Sequence, residues 1–399
     1  MIHTSKTECS PWAVFLIFLR LGLTSFGGPI AHLAYFRDEF VTRRQWLSEQ
    51  NYADLVALCQ FLPGPASSQV GIALGFTRCG YGGALAAWMG FTLPSALALI
   101  ALGIASQGDA MPLGLLQGLK VVAVAVVAQA VWGMARHLCP DTPRITIMAA
   151  ASCFVLLLPS AWGQIGVLAI AAVVGFFLFK PRQDIPHEPL PMTIRRRAGL
   201  FWLALFFALL MGLPLLASQF PNPALSVVDA FYRAGSLVFG GGHVVLPLLQ
   251  AEVVPSGWVS HEAFLAGYGA AQAVPGPLFT FAAFLGAAMN QAPTGWLGGL
   301  VCLLAIFAPS FLLVLGALPF WERLRRNTRM QAALSGINAA VVGLLLAALY
   351  QPVWTSAIHA PQDFSLALVA LLALMFWKLP PWLVVIGSAA VGYLLSVVW

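Results

Sequence analysis

Long apolar runs separated by short polar loops occupy the chain from Trp12 to its end. A membrane-spanning helix needs about 20 apolar residues in succession. In the first half such runs cover about 12–36, 51–77, 82–106, 112–136, 144–160 and 163–179. A lone run follows at about 199–217, and the second half adds about 226–249, 262–290, 295–319, 331–350, 364–377 and 380–398. The pattern predicts an all-α polytopic membrane protein with about 13 transmembrane helices.

Glycine interrupts the first run of each half at equivalent positions. The segment Arg20-Leu-Gly-Leu-Thr-Ser-Phe26-Gly27-Gly28 matches Arg233-Ala-Gly-Ser-Leu-Val-Phe239-Gly240-Gly241, 213 residues later. The next run of each half is interrupted in the same way. Gln60-Phe-Leu-Pro63-Gly64-Pro65 matches Gln272-Ala-Val-Pro275-Gly276-Pro277 at a spacing of 212. The chain is therefore predicted to be a duplication, with an N-terminal repeat at 1–198, a linker span at 199–225 and a C-terminal repeat at 226–399.

Composition supports this membrane assignment. Only 9% of the 399 residues are charged and 60% are hydrophobic, whereas soluble domains carry roughly 25% charged residues. The net charge of +6 comes from short loops and forms no recurring basic face, so nucleic-acid binding is not expected. An ordinary water-soluble protein is excluded.

The positions of the basic residues predict how the chain crosses the membrane, because cytoplasmic loops carry an excess of Lys and Arg. We place the N-terminus in the cytoplasm and count each Pro-Gly-Pro segment as one crossing. Of the Lys and Arg residues in loops, only Arg37, Arg43 and Arg44 then lie on the outer side of the membrane. If these segments are instead hairpins, the second half takes the opposite orientation in the membrane. More Lys and Arg residues then lie on the outer side, which weakens the charge bias. The single crossing is preferred and the hairpin is the alternative. The preferred count makes the two repeats inverted, with discontinuous helices, as in many secondary transporters.

The breaks are the candidate binding site. Irregular backbone survives inside a membrane only where it is buried in protein or lines a wet cavity. A helix that restarts after a glycine also presents free N–H groups and a positive dipole end, which suit an anion. The predicted substrate-binding residues near the breaks are Ser25, Gly27, Gly28, Gln60, Gly64, Ser236, Gly240, Gly241, Gly242, His243, Gln272 and Gly276.

Two arginines are added to this set. Arg20 and Arg233 each precede their glycines by seven residues, so each shares a helical face with them. They either bind the anion or extend to the membrane interface. His32, Glu39, Lys120 and Glu252 are candidates for gating or ion coupling, with packed, capping or snorkelling roles as the alternative.

Motifs of common enzymes and of nucleotide binding are missing from the sequence. It contains no His-Glu-x-x-His, no Gly-x-Ser-x-Gly and no Gly-rich loop ending in Gly-Lys-Ser/Thr. We therefore expect no catalytic residues, no metal site and no cofactor, and transport without direct use of ATP.

The duplicated motifs resemble those of the chromate ion transporter (CHR) family in its long, two-domain form. They are Phe26-Gly27-Gly28-Pro29-Ile-Ala-His32 with Phe239-Gly240-Gly241-Gly242-His243, and the two Gln-x-x-Pro-Gly-Pro segments. The resemblance covers essentially the whole chain. It implies a multi-pass protein of the bacterial inner membrane that exports chromate, with sulfate as a structural analogue.

These observations predict a secondary transporter that exports chromate from the cytoplasm by alternating access and confers chromate resistance. A carrier of sulfate or another oxyanion is the first alternative, and a membrane-embedded chromate reductase is the alternative from another class. The expected partners are the anion and the lipid bilayer, and a homodimer is left open.

Overall fold

The computed structural model describes residues 10–26, 28–107, 113–158, 161–179, 194–220, 222–239, 242–321 and 327–398. These residues are almost all helical, and none of them forms a β-strand. Five helical stretches among them are long and apolar enough to cross a membrane, and shorter apolar helices lie between these. The prediction of an all-α, polytopic membrane protein is confirmed. The predicted substrate-binding residues Gly27, Gly240 and Gly241 lie outside the described residues.

The helices are numbered in chain order. The first half contains α1 (Pro11–Thr24), α2 (Gly28–Arg37), α3 (Glu49–Phe61), α4 (Ala66–Ser106), α5 (Leu113–Leu138), α6 (Thr142–Leu157) and α7 (Ala161–Leu178), and α8 (Arg196–Gln219) follows. The second half contains α9 (Pro223–Leu237), α10 (Val245–Val253), α11 (His261–Ala271), α12 (Phe281–Ala287), α13 (Gly295–Ala317), α14 (Thr328–Ala348), α15 (Pro361–Met375) and α16 (Pro381–Val398).

Local sequence fixes equivalent helix starts in the two halves. The Ser48 side chain accepts a hydrogen bond from Asn51 N at 3.2 Å, and the Ser260 side chain accepts one from Ala263 N at 3.2 Å. Such an N-cap satisfies a backbone donor that the helix leaves open and contributes about 1 kcal/mol. The caps of α3 and α11 therefore set where each Pro-Gly-Pro helix begins.

The chain folds back on itself at both Phe-Gly-Gly breaks. Arg233 Nη1 lies 2.7 Å from Glu252 Oε1, although an unbroken helix would separate residues nineteen apart by about 28 Å. In the first half the Phe18 ring lies 5.6 Å from the Phe36 ring and 5.0 Å from the Phe40 ring, centroid to centroid. Each first run is therefore a hairpin of two short helices, and the prediction of single spans at 12–36 and 226–249 is wrong.

The Pro-Gly-Pro segments are hairpin tips as well. The Arg78 guanidinium lies 5.4 Å from the centre of the Trp46 ring, so the residues before α3 lie beside residue 78 of α4. In the second half Asn290 N donates to Trp258 O at 2.9 Å, which brings together the residues that flank α11 and α12. The Pro-Gly-Pro segments are thus hairpins, as in the alternative, but the second half does not reverse its orientation, because the first run of each half is a hairpin as well. This arrangement also places Arg37, Arg43 and Arg44 at the same end as Arg78, rather than opposite to it.

A further reversal follows within α4. Cys79 and Gly80 leave the helical conformation, with φ +58° at Gly80, and the backbones of Gly75 and Gly83 touch. Residues 81–106 then run beside α1, where a Cβ atom added at Gly22 would lie 2.7 Å from Phe91 O. The long apolar crossing in this region is therefore residues 81–106.

The two halves exchange helices. Helix α5 packs against α15 and α16, whereas α14 packs against α6 and α7. Both contacts cross at glycines. A Cβ atom added at Gly392 would lie 2.7 Å from Gly118 Cα, and one added at Gly336 would lie 2.9 Å from Gly175 Cα. Neither half therefore buries its own helices without the other.

These contacts define two ends of the molecule. The near end carries the α2–α3 connection, the turn at 79–80 and the α5–α6 connection. The far end carries Gln107, which donates to Met289 O at 2.6 Å, and Gln117, which donates to Ala357 O at 2.8 Å. Apart from Arg20, Lys120 and Arg233, every described Lys and Arg lies toward the near end: Arg37, Arg43, Arg44, Arg78, Arg136, Arg144, Arg195, Arg196, Arg197, Arg329 and Lys378.

Candidate functional site

The hairpin tips of one half are bonded to those of the other. Gly64 N donates to Val238 O at 2.7 Å, and Gly276 N donates to Ser25 O at 3.0 Å. The two bonds are repeat-equivalent, because each joins a Pro-Gly-Pro glycine to the residue that precedes Phe-Gly-Gly in the opposite half. The tips therefore meet at the middle of the molecule in two matching pairs.

Only glycine fits at the centre of each Pro-Gly-Pro. Gly64 has φ +124° and Gly276 has φ +104°, which residues with a side chain rarely adopt. A Cβ atom at Gly64 would lie 2.8 Å from Ser310 Oγ, and one at Gly276 would lie 2.8 Å from Ser95 Oγ. Each Pro-Gly-Pro thus packs on the Pro-Ser of the opposite half.

The Phe-Gly-Gly tips come together too. A Cβ atom added at Gly242 would lie 3.4 Å from Pro29 Cγ and 3.8 Å from Leu278 Cβ. Gly28 begins α2 with φ +77°. All four breaks therefore converge on one region, which we name the central site.

Buried polar side chains surround this region without a hydrogen-bond partner. The hydroxyls of Ser25, Ser68 and Ser310 and the Oε1 atom of Gln69 are unpartnered, and each of these residues is at most 2% exposed. Leaving a buried polar group unpaired costs about 1–3 kcal/mol. Such groups in a folded protein call for an explanation, and a polar ligand is one. Four such groups lie close to the breaks.

Four helical segments also start at the central site. They are α2, α4, and the short turns Gly242–Val244 and Leu278–Thr280 that lead into α10 and α12. Pro65 and Pro277, which precede two of these segments, provide no side-chain cap. The first N–H groups of a helix lack intrahelical partners and carry a positive partial charge. The site therefore offers N–H and O–H donors in a positive field, which suits an anion.

The two histidines are held by neighbouring groups. His32 is buried, with Nε2 3.2 Å from Ser25 O and Nδ1 3.4 Å from Ser67 Oγ. His243 Nδ1 lies 2.7 Å from the Tyr268 hydroxyl. Both imidazoles border the tips, and His32 touches the carbonyl that receives the Gly276 N–H.

The two candidate arginines have different surroundings. Arg233 donates to Asp229 Oδ2 and to Glu252 Oε1, each at 2.7 Å, on the far-end side of its hairpin. Arg20 is exposed on α1. The Arg233 guanidinium thus contacts two carboxylates.

Glu39 is the repeat counterpart of Glu252 and has more basic neighbours. Its carboxylate oxygens lie 2.6 Å from Arg43 Nη1 and 2.7 Å from Arg44 Nε. Burial alone would raise the pKa of Glu39, but the hydrogen bond from Arg44 and the charges of Arg44, Arg43 and Arg20 together lower it. This carboxylate is held in its charged form at the near end.

The remaining candidates are scattered. Gln60 is exposed, whereas Gln272 has a buried Nε2 atom without a partner. The Ser236 hydroxyl donates to Tyr232 O of its own helix at 2.7 Å. Lys120 is half-buried on α5, which packs against α11.

Sequence reasoning missed Ser68, Gln69 and Ser310 as site residues. Gln69 Nε2 donates to Pro63 O at 2.7 Å and so braces the Pro-Gly-Pro tip. The duplicated pairs Pro94-Ser95 and Pro309-Ser310 carry a usable signal, because a hydroxyl repeated beside a repeated proline in an apolar run needs a reason. What the sequence does not show is that each pair faces the other half's tip.

A cavity of about 430 Å³ opens elsewhere, at the near end. It is lined by Val41, Gln45, Trp46, Leu47, Ser48 and Asn51. The central site is closely packed by comparison, because its glycines touch the opposite half.

Comparison with known proteins identifies relatives. The family model described as chromate transporter matches residues 12–176 and 225–393. A chromate transport protein of Pseudomonas aeruginosa is 28% identical over 96% of this chain and 91% of its own length. A probable chromate transport protein of Synechococcus elongatus is 27% identical over 94% of this chain and 93% of its own length. No solved structure matches the chain.

Proposed function

The chain belongs to the chromate transporter family, and from this premise we propose that it exports chromate from the cytoplasm across the bacterial inner membrane, conferring chromate resistance. The family and the apolar helices make it a multi-pass membrane protein. Relatives along its whole length are named as transport proteins, so it is a transporter and not an enzyme.

One observation carries the choice of site. Equivalent breaks of the two halves are bonded across the centre, and fully buried hydroxyls without partners lie at the same place. Chromate is a tetrahedral dianion at neutral pH, so it needs several donors that point at one spot. Ser25, Ser310 and the free N–H groups at the starts of α2 and α4 provide them. The anion is then held by neutral donors and helix dipoles, with the arginines outside.

The arrangement of the ends supports two inverted halves. Hairpins of the first half start and finish at the near end, whereas those of the second half start and finish at the far end. The packing of α5 and α14 is also repeat-equivalent, because each packs against two helices of the opposite half. The 13 predicted crossings become nine crossings and four re-entrant hairpins in this proposal. The near end faces the cytoplasm, because the described loop arginines gather there.

The cross-half bonds support a proposal of alternating access. Releasing the Gly64–Val238 pair opens one side of the central site, and releasing the Gly276–Ser25 pair opens the other. The close packing at the centre corresponds to a state closed to both sides. Rocking of one half against the other would exchange these states, as in other transporters built from inverted repeats.

The test is chromate flux in inside-out vesicles, normalised to protein in the membrane. Ser310→Ala and Ser25→Ala each remove one donor to a charged ligand, so the half-saturating chromate concentration should rise about tenfold or more. Ser335→Ala is the matched control, because the Ser335 hydroxyl donates to Gln331 O of its own helix. Unchanged flux in both centre variants would remove the central site from the proposal. Stronger inhibition by sulfate than by unlabelled chromate would favour the sulfate carrier.

Membrane sidedness has its own test. Cysteines introduced at Gln45 and Asn327 should be protected from a membrane-impermeant thiol reagent added to the periplasm, and a cysteine at Pro361 should react. A reactive cysteine at Gln45 together with a protected one at Asn327 would contradict the hairpin arrangement of the first half.

A further inference from the structure

Asp229, Arg233 and Glu252 form an ion cluster outside the central site. Arg233 Nη2 lies 2.7 Å from Asp229 Oδ2, and Arg233 Nη1 lies 2.7 Å from Glu252 Oε1. The side chains of Asp229, Arg233 and Glu252 are 10%, 13% and 18% exposed. Two carboxylates therefore share one guanidinium where little water reaches them, and one negative charge is left in excess.

We propose that the Asp229–Glu252 pair binds a proton and that this binding is linked to anion binding at the central site. The inference rests on the proposed function and deepens it, because it names a proton that regulates anion binding and the residues that carry it. A proton on one of the two carboxylates removes the excess charge beside the single arginine. Protonation therefore lowers the free energy of burying the cluster.

The surroundings contain little else that would titrate. Helix α10 packs against α9, α7, α14 and the turn at 242–244. Helix α9 contributes Arg233 and Asp229, and the described residues of α7 include no Asp, Glu, His, Lys or Arg. Helix α14 carries Arg329, which lies in its first turn toward the near end, and the turn carries His243, which is bonded to Tyr268. Helices α8 and α13 pack on α9; α13 has no charged residue, and the arginines of α8 lie at its near-end start.

Protonation at Glu252 is favoured by its environment. Burial is the main cause that raises the pKa of Glu252; the Arg233 charge opposes it, and the Asp229 charge adds to it. Glu252 lies in the last turn of α10, beside the far-end loop that starts at Val254. A proton can therefore reach it from the far end without passing the central site.

The cluster is tied directly to a tip of the central site. It clamps α9 to α10, the two arms of the hairpin whose tip carries Val238 O, the acceptor of the Gly64 N–H. Arg233 precedes Val238 by five residues, or about 7.5 Å of helix rise. An excess negative charge at that distance repels a dianion, so a proton on the pair should strengthen anion binding, and by reciprocity the anion should strengthen proton binding.

The first half supplies a matched control. Leu16 stands where the repeat would place Asp229, and Glu39 has Arg43 and Arg44 as partners. Glu39 is thus an equivalent carboxylate without the excess negative charge. It should take no part in proton binding.

The first experiment measures protons directly. Chromate, adjusted to the same pH, is added to purified protein in weakly buffered detergent with a pH indicator, and bound chromate is counted in parallel. Wild type and Glu39→Gln should take up to about one proton per bound anion. The variants Glu252→Gln and Asp229→Asn should take up far less. Chromate binding without proton uptake in wild type would overturn the proposal, and so would full uptake in both cluster variants.

The second experiment follows flux between pH 5.5 and pH 8.5. The half-saturating chromate concentration of wild type should rise about tenfold as the pair loses its proton, and that of Glu252→Gln should stay near the low-pH value. Comparison at each pH cancels changes in the chromate itself. A wild type that carries no chromate defeats the proposed function, whereas chromate flux with the same pH profile in both proteins defeats the proton site alone.

Discussion

Glu39 and Glu252 occupy equivalent positions in the two halves, yet the ion clusters that contain them carry opposite net charge. Glu39 has two arginines within 2.7 Å, whereas Glu252 shares Arg233 with Asp229. At the central site, by contrast, the two halves keep the same backbone bonds and the same glycine conformations. The duplication has therefore preserved the frame that pairs the tips, while the ionic groups behind the tips have diverged.

The largest difference between the two halves should appear when the equivalent arginine is removed from each. Arg233→Ala leaves two mostly buried carboxylates without their partner, so it should cost about 3 kcal/mol or more of unfolding free energy. Arg20→Ala, at an exposed position, should change little. Thermal unfolding in detergent, with the amount of protein in the membrane, measures both. Equal losses would show that the two arginines have equivalent roles after all.

The preserved frame predicts equal effects at the two Pro-Gly-Pro glycines. Gly64→Ala and Gly276→Ala each force a side chain into positive φ and against a serine of the opposite half, at a cost of about 1–3 kcal/mol. Unfolding free energies of the two variants should agree within about 0.5 kcal/mol. A large difference would mean that the halves are not equivalent at the centre either.

The two glutamates should differ in how pH affects their loss. The pKa of Glu39 is lowered in the folded state, so its stabilisation is present above the unfolded pKa of about 4.3 and disappears as the pH falls through the folded pKa. Glu39→Gln should therefore cost about 1–2 kcal/mol at pH 7 and progressively less toward acid pH.

For Glu252 the sign is reversed. Its pKa is raised, so its contribution is most favourable below the unfolded pKa and declines as the pH rises through the folded pKa. Glu252→Gln should cost less stability at pH 7 than Glu39→Gln does. Melting curves from pH 4 to pH 8 test this, and a larger loss in Glu252→Gln at pH 7 would refute it.

The smallest expected effects on stability are those of replacing Gln60 and Gln272, and these two variants should differ in chromate flux. Gln60 is exposed, so Gln60→Ala should change stability by less than about 0.5 kcal/mol and leave flux unchanged. Gln272→Ala removes a buried amide whose Nε2 has no partner, so stability should again change little, but chromate flux should fall. Equal flux in both variants would place Gln272 outside the anion's reach.

The sequence predicts the all-α class and the positions of the breaks, because apolar length and repeated Gly and Pro are local signals. It does not predict that Trp46 lies beneath Arg78, and that one contact decides between crossing and hairpin. It likewise places Arg233 on the helical face of its glycines, but the partner that captures the guanidinium, Glu252, lies nineteen residues away across a reversal. The unpartnered hydroxyl of Ser310 becomes meaningful only when the other half's Gly64 is seen against it.

The exchange of helices between the halves also bears on how the protein is made. Helix α5 ends at Leu138, but its partner helices α15 and α16 begin only at Pro361, about 220 residues later. While the ribosome translates that interval, the face of α5 around Gly118 lacks the segment around Ser388 and Gly392 that packs on it in the finished fold. A chain that ends before α15 would therefore leave this glycine face of α5 without its partner helices.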